Sequence, residues 1–119
     1  MTDAALAKKL QLRPGQGIRV LHTPDGLAFD LPAAGASTAA PAVLVFVTSF
    51  AEAEQRVAAA VEAARADDLA WVAYPKAGKL GTDLDRDPLA AFMTARGVRP
   101  VRQAAIDDIW SALRFRPPA

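Results

Sequence analysis

The chain has 119 residues, 52% hydrophobic and 23% charged, with 14 basic and 13 acidic side chains for a formal net charge of +1. That length suits one domain, residues 1–119, and the balance excludes a disordered chain and disfavours nucleic acid as a partner. There is no cysteine and one histidine, which excludes disulfides, thiolate nucleophiles and cysteine metal sites and leaves a histidine metal site without a second histidine.

From Asp3 to Leu12, Leu6 and Leu10 stand at helical spacing with Ala5 nearby, while Lys8 and Lys9 take the other side. Arg13-Pro14-Gly15 ends this short helix, because proline lacks the amide donor and disfavours helix in the residue before it. The start has no continuous apolar h-region, and "AAPAVLVFV" is too short to span a bilayer. A cytoplasmic location and no membrane partner are expected. Gly17 to His22 reads as a strand, closed by the turn residues "TPDG". Residues 32–41, small and bounded by prolines, read as a loop.

Ala42 to Thr48 has no polar member before its final threonine, the pattern of a parallel strand buried on both faces. Ser49 with Glu52 three residues on is a capping box in sequence terms. Phe50, Ala53, Val57, Val61 and Ala64 form the inner stripe of the helix that follows, with Glu52 and Arg56 paired outside. Leu69 to Tyr74 is the next strand. Asp87-Pro88 predicts an N-cap with proline at the first helical position, and Gly97 predicts the stop. Residues 99–106 and 110–116 then read as an antiparallel hairpin around Asp107-Asp108.

The stretch "YPKAGKLGTDLDRD", residues 74–87, carries the densest polar chemistry. It fails as a phosphate loop, because Leu80 follows Gly78-Lys79 where a hydroxyl residue belongs and Ala73 stands in place of the first glycine. It leaves a strand at its carboxyl end, where open parallel sheets collect ligands. A ligand cleft there draws Lys76, Lys79, Thr82, Asp83, Asp85 and Arg86 from this stretch and His22 from the first strand. The last hairpin adds Asp107, Asp108, Trp110, Arg114 and Arg116 as further candidates. The bland alternatives carry more weight: loop aspartates are usually solvated, capping or paired, and a lone strand-end histidine usually has a local hydrogen bond. No glycine-flanked serine marks a nucleophile, so no catalytic residue, metal or cofactor is assigned. Arg99, Arg102, Arg114 and Arg116 give the end of the chain a mild basic bias against Asp107 and Asp108, weak evidence for an anionic partner. Salt bridges from Asp83 and Asp85 to Arg102, Arg114 and Arg116 are expected to clasp "TDLDRD" against the last strand.

"LQLRPGQGIRVL" and "PAVLVFVTSFAEAEQRVAAAVEAARADDLAWVAYPK" resemble half of a Rossmann-type methyltransferase. The resemblance implies a strand order of 17–22, 42–48, 69–74, 110–116 and then 99–106 at the edge. Those enzymes follow strand one with a glycine-rich cofactor loop, whereas here "VLHTPDGLAFD" holds the single glycine Gly26. Over nearly the whole chain, "WVAYPK", "TDLDRD" and "AIDDIWSALRFRP" resemble a bacterial family known as a domain of unknown function (number three-zero-five-two). Its motif positions fall on Tyr74, Pro75, Lys76, Thr82, Asp83, Arg86, Asp107, Asp108, Trp110, Ser111, Arg114 and Arg116, with no roles attached.

The expected architecture is an α/β domain of three layers, with a reduced Rossmann-like, mostly parallel sheet and a C-terminal antiparallel hairpin. Two functional readings stand. One is a non-catalytic binding or interaction module, its partner a protein or a second copy of the chain. The other is an enzyme or small-ligand binder holding an anionic, nucleotide-like or S-adenosylmethionine-like ligand at the carboxyl ends. The missing glycine loop and the few catalytic residue types favour the first.

Overall fold

The computed structural model describes residues 4–13, 16–25, 27, 31, 42–76 and 78–118. The expected loop at 32–41, together with Asp3, Pro14, Gly15 and Gly26 of the expected helix and turns, lies outside the described residues. The described elements are helix α1 (Ala4–Lys9), strand β1 (Arg19–Leu21), β2 (Ala42–Phe46), α2 (Phe50–Arg56), α3 (Ala58–Arg65), β3 (Leu69–Pro75), a single 3₁₀ turn (Lys79–Gly81), α4 (Arg86–Thr94), β4 (Arg99–Ala105) and β5 (Trp110–Arg116). The chain is thus α/β, built on a five-stranded mixed sheet.

The strands lie in the order β1-β2-β3-β5-β4, the order implied by the methyltransferase resemblance. β1, β2 and β3 are parallel, and β5 inserts antiparallel between β3 and β4. Every residue of β2 and β3 is buried, as expected of central strands covered on both faces.

Alternation along each strand divides the core in two. Val43 and Val45 of β2, Ala70, Val72 and Tyr74 of β3, and Leu113 and Phe115 of β5 pack against α2, α3 and α4. Leu44 and Phe46, Trp71 and Ala73, and Trp110 and Ala112 point the other way, where Leu6 and Leu10 of the α1 segment cover them. The Trp71 indole nitrogen donates to the Leu10 carbonyl at 3.0 Å. This bond fixes the α1 segment over the sheet and satisfies the donor that a fully buried tryptophan brings with it.

Three local expectations need correction. The helix after Ser49 is broken at Val57 into α2 and α3, and its inner stripe is Ala53, Val57, Ala60 and Ala64 rather than one running through Val61. The kink at Val57 turns the alanine side of α3 onto the sheet, where small side chains permit close approach, and leaves Phe50 and Val61 half-buried at the margin. The N-cap of α4 is Asp85, not Asp87; Asp85 accepts from the Arg86 amide at 2.8 Å. Pro88 therefore sits within the first turn, where its missing donor is one that the helix leaves unbonded in any case. The third correction, the aspartate–arginine clasp, concerns the site below. Gly97 does follow α4, at φ +86, the left-handed conformation that glycine adopts without a Cβ penalty.

Candidate functional site

The carboxyl ends of β2 and β3 are stitched together by the stretch that drew attention in the sequence. The Thr82 hydroxyl donates to the Thr48 carbonyl at 2.7 Å and accepts from the Leu84 amide at 2.9 Å. Asp83 accepts from the Phe50 amide at 3.0 Å, near the start of α2, where the first amides of a helix lack partners of their own. Residues 82–85 therefore form a strap across the β2–α2 turn. Its polar side chains are spent on backbone groups.

The arginines expected to hold this strap lie elsewhere. Because β5 runs antiparallel to β3, Arg114 sits beside Trp71, near the start of β3, while the strap lies past its end. Arg116 instead makes a two-bond pair with Asp67, at 2.9 Å for each bond. Arg114 donates to Gln11 at 2.6 Å. Among the described residues, no ion pair joins Asp83 or Asp85 to Arg102, Arg114 or Arg116.

A cleft of about 380 Å³ opens at the carboxyl ends of β1 and β2. His22, Thr23, Asp25, Thr48, Glu52 and Arg56 supply its polar lining, and Phe46 and Trp110 form an apolar wall. Those two rings meet edge to face at 5.1 Å between centroids, a favoured aromatic geometry. His22 has φ +60, a left-handed conformation that histidine enters more readily than most residues.

Glu52 is the best-anchored acid of this cleft. It accepts from the Thr48 amide at 2.8 Å and from Arg56 at 3.1 Å, while the Ser49 hydroxyl caps its own amide at 3.2 Å. The capping box of the sequence is present with one change, in that Glu52 reaches the amide before the cap residue rather than that of the cap itself. The hydrogen bonds from Thr48 and the charge of Arg56 outweigh partial burial and hold the Glu52 carboxyl below its ordinary range.

Of the twelve candidates from the sequence, His22 and Trp110 line this cleft. Thr82, Asp83 and Asp85 are bonded as described. Lys76 donates its amide to the Ile109 carbonyl at 2.7 Å, Lys79 is exposed on the 3₁₀ turn, and Arg86 meets Asp87 at 3.5 Å in solvent. Asp107 holds the β4–β5 turn by accepting from the Ile109 and Trp110 amides at 2.8 and 2.7 Å, and Asp108 is exposed beside it. Sequence reasoning missed Thr23, Asp25, Thr48, Glu52 and Arg56 as lining residues. A positional signal existed for Thr48 and Glu52, which directly follow the carboxyl end of a buried parallel strand. Among the described residues no group of three or more histidine, aspartate or glutamate side chains is placed to hold a metal ion, and no helix is long and apolar enough to cross a membrane. No family model, curated protein or solved structure matches the chain.

Proposed function

We propose that the chain is a non-catalytic binding module on a reduced, three-layer Rossmann-like sheet, kin to the domain-of-unknown-function family that its closing motif resembles. The strand order, the three parallel strands and the helices on both faces support the fold reading. The observation that carries the functional reading is the fate of the acids and hydroxyls at the carboxyl end. General acid–base work needs a group whose pKa lies near the working pH. Glu52 is displaced the other way by its own bonds, and Thr82 and Asp83 are committed to backbone partners. With the strap beside the cleft bonded to backbone and Glu52 within it already paired, the arrangement suits recognition at the cleft of His22, Asp25, Arg56 and Trp110.

One observation favours an enzyme instead: His22 and Glu52, a base and an acid, line the same cleft. A thermal-shift screen against nucleotides, S-adenosylmethionine and phosphorylated metabolites, followed by prolonged incubation of each stabilising compound, separates the two readings. The binding reading expects a compound whose stabilisation is lost in Arg56→Gln and which is recovered chemically unchanged. Turnover that disappears in His22→Ala would overturn it.

A further inference from the structure

The opposite end of the sheet holds a concentration of guanidinium groups that, among the described residues, the fold neutralises only in part. Arg99 and Arg116 are directly opposed across β4 and β5, and so are Arg102 and Arg114. Opposed residues share a sheet face, and like charges so placed repel. Arg13, from the segment after α1, adds a fifth positive charge that acts on Arg114. Among the described residues, Asp67, already bound to Arg116, and Asp68 stand against these five.

An edge strand gains protection from unwanted pairing by carrying charge, which accounts for Arg99 and Arg102 on β4. It does not account for Arg114 and Arg116 on β5, an internal strand paired on both sides. Arg114 is half-buried. Among the described residues it has one neutral hydrogen-bond partner, Gln11, and its Nε is buried with none. Burial, then the charges of Arg116, Arg102 and Arg13, pull the Arg114 pKa below its ordinary value against the opposing charge of Asp67. A guanidinium under-satisfied in this way gains from any anion that reaches it.

The space for such an anion is present. Gln11, Arg13, Gln16, Asp68 and Arg114 line a cleft of about 290 Å³ beside Leu69, at the amino end of β3, together with Asp67, whose carboxylate is engaged by Arg116. We infer that this cleft is a second ligand site, at the end of the sheet opposite the carboxyl-end cleft, for a small molecule with an oxyanion head and a hydrogen-bond donor. The head meets Arg13 and Arg114, and a hydroxyl or amine of the same molecule meets Asp68. The small volume and the two carboxylates, Asp67 and Asp68, in the lining suit a small molecule better than a nucleic-acid backbone, which favours an open basic face without acids.

Titrations of the full chain with inorganic phosphate and, separately, acetate, each matched in ionic strength with chloride, test the site by amide and arginine Nε chemical shifts. Saturable shifts at Gln11, Arg13, Asp68 and Arg114 with either anion and not with chloride are expected. Phosphate binding the tighter identifies a phosphoryl head, and acetate a carboxylate. Affinity falls roughly tenfold in Arg114→Gln and in Arg13→Gln, from the loss of one charge-assisted contact. Arg13 is exposed, so its variant reads binding even where Arg114→Gln lowers stability. The His22→Ala variant retains the shifts, which separates failure here from failure at the carboxyl-end cleft. Shifts that chloride reproduces, or that survive both arginine variants, would overturn the site. So would a DNA duplex that binds these arginines with steep salt dependence while both small anions fail.

Discussion

The strap makes a sharp thermodynamic demand of Thr82. In Thr82→Val the side chain keeps its shape and loses its hydroxyl, leaving the Thr48 carbonyl and the Leu84 amide without the partners they have at 2.7 and 2.9 Å. An unsatisfied buried polar group costs about 1–3 kcal/mol, and these bonds are only partly buried, so the two together should cost about 2 kcal/mol. For a domain of this size that lowers Tm by about 8 °C. Thr82→Ser keeps both bonds and loses only a methyl group, so it should cost less than about 1 kcal/mol. Paired urea and thermal melts of parent, Val and Ser variants measure this. Hydrogen exchange at the Leu84 amide should accelerate in the Val variant and stay slow in the Ser variant. A Val variant within about 0.5 kcal/mol of the parent, or a Ser variant as unstable as Val, refutes the strap as a source of stability.

Three further outcomes follow from the same geometry. Leu89 is fully buried on the inner face of α4, and Leu89→Ala should cost about 2–5 kcal/mol in a urea melt with unchanged m-value. Gly97→Ala should cost about 1 kcal/mol or more, because an L-residue is strained at φ +86 and the new Cβ would lie 3.1 Å from the Arg65 guanidinium; an unchanged midpoint would count against the left-handed turn. The Glu52 carboxyl lies below its usual value near 4.5 in the folded chain, so its contribution is present above that pH and is lost as pH falls through the folded value. Stability measured from pH 6 down to pH 2.5 should therefore decline less steeply in Glu52→Gln than in the parent, and parallel curves would refute the assignment.

The central sheet was legible because its evidence is local. The unbroken apolar run of 42–47 allows little besides a strand covered on both faces, and Ser49 with Glu52 marks the helix start within four residues. The cap of α4 was misread because Asp85 and Asp87 are both good N-cap residues, and only the entry of the chain chooses between them. The partner of Asp83 was illegible for a different reason: it is the Phe50 amide, 33 residues away, and a backbone amide advertises nothing in the sequence. The carboxyl-end cleft was half visible. His22 and Trp110 carry distinctive chemistry, while Thr48, Glu52 and Arg56 already had sufficient roles as strand end and helix pair.

The failed clasp and the guanidinium cluster have one cause. Both depend on the direction of β5. Were β5 parallel to β3, Arg114 and Arg116 would emerge at the carboxyl end, within reach of Asp83 and Asp85, and charges of opposite sign would meet there. The antiparallel register instead carries both arginines to the amino end, Arg114 beside Trp71 and Arg116 beside Asp67. The aspartates left behind are neutralised by amides, which costs the fold no cation. Among the described residues, the arginines carried away find one carboxylate partner, Asp67, which Arg116 holds. An excess of aspartate can be absorbed by helix starts and turns, because these present unbonded donors. Arginine on a sheet face has fewer such ready partners: Arg99 reaches the Pro117 carbonyl and Arg114 the Gln11 side chain, neither of them a counter-charge, which is why the proposed anion site falls at this end of the sheet.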